Sequence, residues 1–144
     1  MQIRSYRSDD EQAVIDLWFR CDLVVPWNNP RLDIQRKLQV DPELLLVGLE
    51  GNTLVATVMG GYEGHRGWIN YLAVDPRRRR CGYGRLMMDE IESRLAARGC
   101  PKINLQVRAN NRDVVAFYEA IGYKVEELVD MGKFLSHDPP YEQS

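Results

Sequence analysis

Apolar residues recur along this chain with two different periods, and the switches between them give an order of elements. Ile3-Arg4-Ser5-Tyr6 reads as a short first strand. Ala13, Val14, Leu17 and Trp18 then fall on one face of a 3.6-residue repeat, which predicts a helix from Asp9 to about Arg20. Ser8 and Glu11 stand at capping-box spacing at its start. Asn29-Pro30 offers an N-cap with proline at the first helical position, and a second helix is expected to run to about Val40, because Asp41-Pro42 disfavours continuation. Leu44–Leu49 and Leu54–Tyr62 are continuous apolar runs on either side of Glu50-Gly51-Asn52, the pattern of two strands and a tight turn. Trp68–Val74 is a fourth strand, ending at Asp75-Pro76.

Met87, Met88, Ile91 and Leu95 return to helical spacing within Cys81–Arg98, and Gly99 suits the C-cap. Lys102–Val107 is the expected fifth strand and Asn111–Ile121 the fourth helix, closed by Gly122. Tyr123–Leu128 and about Asp130–Leu135 are expected as a terminal hairpin, and Ser136–Ser144 as a tail. The order β-α-α-β-β-β-α-β-α-β-β implies one parallel strand pair inside an otherwise antiparallel, seven-stranded mixed sheet. The fold class is therefore α/β or α+β, in one domain spanning 1–144.

Composition narrows the functions without choosing one. At 144 residues the chain can bury a self-sufficient core, and its 44% hydrophobic and 28% charged content is ordinary for a globular protein. No apolar run approaches the roughly 20 residues that span a bilayer. Met1–Asp9 also lacks the apolar stretch of a secretory signal, so a cytoplasmic location with no membrane partner is the default expectation. Cys21, Cys81 and Cys100 are odd in number and far apart, with neither a CxxC pair nor a zinc spacing, so no disulfide framework or metal is expected. A net charge of −2 and the lack of a basic-aromatic platform argue against a nucleic-acid partner. One local feature breaks the even charge pattern, the run Arg77-Arg78-Arg79-Arg80 followed by Arg85.

Such a run is usually a solvated surface, but its placement here changes that. In Val74-Asp75-Pro76-Arg77-Arg78-Arg79-Arg80-Cys81-Gly82-Tyr83-Gly84-Arg85-Leu86-Met87 a strand ends, a basic loop with two glycines follows, and a helix begins at once. A helix start presents unpaired N–H groups and partial positive charge, which suit a phosphate or diphosphate. Gly82 and Gly84 are expected to let oxygens approach the amides, and the arginines add charge and forked donors. A Walker loop is excluded because no Gly-Lys-Ser/Thr exists, and a dinucleotide fingerprint would need glycine at Met87.

What remains, Arg79-x-x-Gly82-x-Gly84 after a strand, resembles the signature of the GNAT superfamily of N-acetyltransferases. Asn111-Arg112-Asp113-Val114-Val115-Ala116-Phe117-Tyr118-Glu119-Ala120-Ile121-Gly122-Tyr123 resembles that superfamily's second element, and the element order is similar over almost the whole chain. Pro26–Pro30 and Met59–Gly67 are similar more narrowly to the bacterial YpeA-like acetyltransferases. Two departures stand out: Arg80 replaces a frequent glycine, which asks it to keep a permissive φ, and Cys81 replaces a frequent basic residue.

The resemblance implies a sheet splayed between its fourth and fifth strands, with acetyl-coenzyme A as cosubstrate and an amine as acceptor. It implies cofactor contacts from Leu72, Ala73 and Val74, from the turn residues Arg79, Arg80, Cys81, Gly82, Tyr83, Gly84 and Arg85, and from Asn111 and Tyr118. The Val74 amide is the implied oxyanion donor and Tyr118 the implied acid for the leaving thiolate. The superfamily's frequent strand-four glutamate falls at Asn70, so the base stays open between water-mediated deprotonation, Glu63 and His65. Trp27 and Asn28, with Asn70, are the candidates for lining an acceptor cleft. Dimers are common in that superfamily, so a homodimer stays open as well. A non-catalytic acyl-coenzyme A module is the alternative that the missing glutamate keeps in view.

Overall fold

The apolar run around Leu44–Leu49 sends alternate side chains into two separate cores, which requires a covering layer on each face of its strand. Leu44 and Leu46 enter one cluster, and Leu45 and Val47 the other. In the computed structural model, which describes residues 1–143, that strand is β2 (Leu45–Glu50). It pairs antiparallel with β1 (Gln2–Ser5) and β3 (Thr53–Tyr62). β4 (Gly67–Val74) continues the antiparallel order, and β5 (Ile103–Leu105) lies parallel to β4 at the end of the sheet β1-β2-β3-β4-β5.

Helices α1 (Glu11–Arg20) and α2 (Pro30–Leu38) cover one face with Val14, Ile15, Leu17, Trp18 and Ile34, all fully buried. On the other face lie α3 (Tyr83–Ala97), through Met87, Met88, Ile91 and Leu95, and α4 (Arg112–Ala120), through Tyr118. Each fully buried aliphatic side chain is worth about 1.5–3 kcal/mol, so these two apolar layers hold the sheet. α3 approaches unusually closely at Gly60, where a Cβ would stand 2.6 Å from Ile91 Cγ1. The caps are local: Asn29 Oδ1 accepts the Leu32 amide with Pro30 at the first helical position, and Gly99, at φ +87°, ends α3.

Three expectations are corrected. Among the described residues the sheet has five strands rather than seven, because 123–135 forms no ladder. Its apolar residues Val125, Leu128, Val129 and Met131 do not alternate, so no single face exists to bury, and all four are exposed. Side-chain bonds instead hold the segment beside β5, Lys102 to Glu126 at 2.7 Å and Gln106 to Asp130. The first helix is not started by a Ser8/Glu11 box. Ser8–Asp10 is a 3-10 turn in which Asp10 accepts the Arg7 amide at 2.8 Å and pairs with both terminal nitrogens of Arg4. Finally, the residues expected as a tail lie along α2. Asp138 takes both Arg36 nitrogens at 2.8 and 2.6 Å, and the Pro139 carbonyl accepts from Asn29. The Tyr141 ring meets Arg31 and Phe19. Ser144, the end of that stretch, lies outside the described residues.

Two features of β4 position everything that follows. Its pairing with β5 covers three residues and stops at Ile69↔Leu105, so Asn70–Val74 has a neighbour, β3, on one side and an open edge on the other. The register with β3 also slips: Thr57 faces Ala73 while Met59 faces Asn70. Two residues of β4, Tyr71 and Leu72, therefore oppose Val58 alone. This is a β-bulge, and Tyr71 carries it at φ +53°.

Candidate active site

Below the open edge of β4, Asp75 shapes the turn to α3. Its carboxylate is nearly fully buried and accepts the Arg77 amide at 3.0 Å, with the Arg20 guanidinium at 3.2 Å. The Arg77 amide first, and then the Arg77 and Arg20 guanidinium groups, hold that carboxyl below its usual range. Arg78 is taken by Glu50 at 2.5 Å, and the Tyr83 hydroxyl donates to the same carboxylate. Arg79, Arg80 and Arg85 pair with no carboxylate among the described residues. Two arginines of the cluster thus build the turn, and three remain for an anion.

The main chain supplies the rest. Arg80 and Gly82 both adopt left-handed backbone, at φ +72° and +77°. The first helical bond of α3 runs from the Leu86 amide to Gly82 at 3.1 Å, leaving the amides of Tyr83, Gly84 and Arg85 without an intrahelical acceptor. The two glycines do different work. A Cβ on Gly82 would meet nothing within 4 Å, so its left-handed φ is what calls for glycine. A Cβ on Gly84 would stand 3.1 Å from Phe117 Cζ, so this glycine seats α4 against α3, where the sequence suggested ligand approach.

α4 brings Tyr118 beneath the same edge of β4. The ring is 8% exposed, packed edge-on against Phe117 and Tyr123, and its hydroxyl makes no hydrogen bond among the described residues. Burial lifts that hydroxyl to about 12, so it is a protonated phenol throughout the neutral range. Asn111 caps α4, accepting the Val114 amide at 3.4 Å, and is exposed. Leu72 and Val74 pack into the α3/α4 core and Ala73 into the other, while the Val74 carbonyl accepts from the Cys21 thiol at 3.3 Å. Cys81 is exposed.

Across β4 lies a cleft. Two adjoining cavities of about 320 and 450 Å³ share Asn28, Asp33 and Arg36 as walls. The larger reaches Met59, Asn70 and Tyr71, and the smaller is lined as well by Trp27, by Lys133–Ser136 and by Asp138. The bulge makes this wall. With Ile69 in the α3/α4 core, the extra residue turns Tyr71 to the α1/α2 face, where its ring stacks on Trp18 at 3.7 Å. Buried Thr57 pins the bulge by accepting Trp18 Nε1 and donating to the Tyr71 carbonyl, each at 2.9 Å. The Tyr71 hydroxyl donates to Asp33 at 2.6 Å. Burial pushes the Asp33 carboxyl above its ordinary value, and the Tyr71 bond opposes that shift.

The structure thus brings Leu72, Val74, the Arg79–Arg85 turn and Tyr118 to one side of β4, and Trp27, Asn28 and Asn70 to the other. Glu63 and His65 join neither group. They sit in the β3–β4 turn beyond Gly67, which is itself seven residues up β4 from Val74 and so roughly 20 Å away along the strand. There the Glu63 carboxylate accepts the amides of His65, at 3.0 Å, and Arg66. Asp33, Tyr71 and Thr57 went unnoticed in the sequence. A polar Asn-Tyr pair interrupting an apolar strand was the one signal available for the bulge.

Residues 12–123 match the model of the Acetyltransferase (GNAT) family. An acetyltransferase of Pectobacterium atrosepticum is 48% identical over 141 residues, covering 98% of this chain and 100% of that protein. The ribosomal-protein-S18-alanine N-acetyltransferase of Escherichia coli has a similar structure, with a TM-score of 0.71 and 25% identity over 84% of this chain and 76% of that one. The aminoglycoside antibiotic 6'-N-acetyltransferase AAC(6')-IG of Acinetobacter haemolyticus shares the fold, with a TM-score of 0.74 and 16% identity over 94% of this chain and all of that one.

Proposed function

Because this chain belongs to the GNAT family of acetyltransferases, we propose that it transfers an acetyl group from acetyl-coenzyme A to a primary amine, as one domain spanning 1–144. The observation that carries this is a continuous donor track: the open edge of β4 runs straight into a left-handed turn whose helix-start amides are free. A diphosphate sits at the amides of Gly82 to Arg85, with Arg79, Arg80 and Arg85 around it and Cys81 and Tyr83 within the turn. The pantetheine amides, spaced like a peptide, pair with the main chain of Leu72 to Val74. Asn111, at the start of α4, stands beside that arm. This gripping aims the thioester carbonyl at the Val74 amide, which stabilises the oxyanion.

The amine enters from the cleft of Trp27, Asn28 and Asn70. Its nitrogen forms the new C–N bond, the C–S bond breaks, the amine gives up a proton to water in the open cleft, and the thiolate gains one. Tyr118 supplies that last proton or holds the thiolate through its O–H. A phenol lifted to about 12 is fully protonated for the task, and it gives its proton only to a base as strong as a nascent thiolate in a dry site. The S18-alanine and aminoglycoside enzymes act on unlike amines, so the fold leaves the acceptor open.

Release of coenzyme A thiol across a panel of primary amines tests the reaction. Amine-stimulated release is the expected result. Saturable binding of acetyl-coenzyme A with no stimulated release would leave an acyl-coenzyme A-binding module instead. Tyr118→Phe is expected to lower kcat by about 100-fold, the usual scale for losing an acid catalyst, with coenzyme A affinity unchanged within about twofold. A wild-type rate in this variant removes Tyr118 from the chemistry.

A further inference from the structure

We propose that Asp33 is the counter-ion for an ammonium group of the acceptor, so that the cleft between α2 and β4 selects cationic amines. The proposal deepens the acetyl-transfer reading and rests on it. One Asp33 oxygen accepts from the Tyr71 hydroxyl at 2.6 Å, and the other lies 3.9 Å from Arg36, beyond hydrogen-bonding distance. Arg36 is drawn away because Asp138 holds both of its terminal nitrogens. Asp33 therefore keeps an oxygen for a ligand in a wall shared by both cavities.

Of the charged groups around the cleft, only Asp33 and Arg36 wall both cavities, and of these two only Arg36 has a charged partner at hydrogen-bonding distance. From α2, Arg36 is neutralised by Asp138, and Lys37, which lines the larger cavity, carries its Nζ near Gly61, with Asp41 and Arg98 as its charged neighbours. From the C-terminal segment, Lys133 and Asp138 line the outer cavity alone. β3 and β4 contribute Met59, Asn70 and Tyr71, which carry no charge in the neutral range. A carboxylate half-withdrawn from water is costly unless paired, and a cationic ligand supplies the missing partner. The geometry is also held in advance. Tyr71 occupies a strained left-handed backbone, is clamped between Trp18 and Thr57, and turns its hydroxyl onto Asp33.

The test uses 1,4-diaminobutane as the cation and 1,4-butanediol as its neutral match of similar shape, titrated into the isotope-labelled full chain. The diamine is expected to shift the amide resonances of Asn28, Asn70 and Tyr71 and the diol to leave them in place. Asp33→Asn keeps the shape and is expected to weaken diamine binding at least about tenfold, the scale of a lost charge-assisted hydrogen bond. Asp138→Asn, on the exposed C-terminal segment, frees Arg36 to swing onto Asp33 and is expected to weaken it about threefold. Equal shifts from the diol, or equal diamine affinity in wild type and Asp33→Asn, would overturn the proposal. These titrations need no cosubstrate, so they decide the cation site whether or not acetyl transfer occurs. In the turnover assay with the same diamine, Asp33→Asn is expected to raise KM about tenfold with kcat within about twofold. A wild type active on amines with an unchanged KM in Asp33→Asn sinks the proposal and leaves the acetyl-transfer reading standing. A wild type that binds the diamine through Asp33 but turns over no amine sinks only the acetyl-transfer reading.

Discussion

The two sides of β4 are built on opposite principles. On the side of the Arg79–Arg85 turn, the groups poised for a ligand are main-chain amides set by backbone angles at Arg80 and Gly82 and by the start of α3. On the cleft side they are side chains, Trp27, Asn28, Asp33, Asn70 and Tyr71, brought together from the approach to α2, from α2 itself and from a bulged strand. An amide track binds what its spacing fits and tolerates changes of side chain. A side-chain cleft changes its ligand with each substitution. The proposed reaction, with a fixed donor and an open acceptor, fits this asymmetry, and the bulge at Tyr71 is where one strand passes from the first mode to the second.

The sharpest way to break the comparison is to disturb the backbone on the donor side while leaving every charge in place. Gly82→Val puts a β-branched residue at φ +77°, where an L-residue costs about 1–2 kcal/mol, and the turn is expected to relax away from its free-amide geometry. Coenzyme A Kd, measured by calorimetry, is expected to rise about 5- to 30-fold, the equivalent of that cost. Diamine binding in the cleft should stay as in wild type. An unchanged coenzyme A affinity would show that the diphosphate is held elsewhere.

The matching experiment on the cleft side removes the pin beneath the bulge. Thr57→Val is close in shape but leaves the Trp18 N–H and the Tyr71 carbonyl without their buried partner. A loss of about 1–3 kcal/mol in urea unfolding is expected, the scale of a buried polar group left unpaired. Tyr71 then loses its fixed backbone, so the acceptor KM should rise while coenzyme A Kd holds. Equal effects on both ligands would mean that the two sides of β4 act as one unit.

The same contrast explains how much was legible in the sequence. The amide track and its arginines lie within Leu72–Arg85, so the turn could be assembled from neighbours along the chain, and only Asn111 and Tyr118 reach that side from a distant element, α4. Even there, contiguity concealed the partners: Arg77 and Arg78 turn to Asp75 and Glu50, and Gly84 faces Phe117. On the cleft side, Asp33 and Tyr71 are 38 positions apart, and Asp138 is more distant still from Arg36. No periodicity links such residues. The bulge joining them is carried by a tyrosine at φ +53°, where glycine would have announced it. Helices were legible because Met87, Met88, Ile91 and Leu95, or Val14, Leu17 and Trp18, mark a buried face by their spacing. The strands expected in 123–135 do not form, because the segment's β-rich composition lacks the period-two alternation that a half-buried strand needs.

The smallest effect is expected at Arg80, and it separates backbone from side chain most cleanly. This arginine is exposed, pairs with no carboxylate among the described residues, and sits at φ +72°. Arg80→Gly relieves about 1–2 kcal/mol of left-handed strain and returns about 0.5–1 kcal/mol of it as extra freedom in the unfolded chain. A net gain of roughly 0.5–1 kcal/mol in unfolding free energy is therefore expected. Coenzyme A affinity should fall by only about threefold at low salt, the share of one exposed charge, and that difference should vanish when salt shortens the screening length to a few ångströms. Were Arg80 instead a direct, forked clamp on a phosphate, the loss would exceed about tenfold and persist at high salt, because a desolvated guanidinium–phosphate pair is poorly screened. That result would move the donor side into the same class as the cleft, a site made by side chains, and the asymmetry across β4 would be lost.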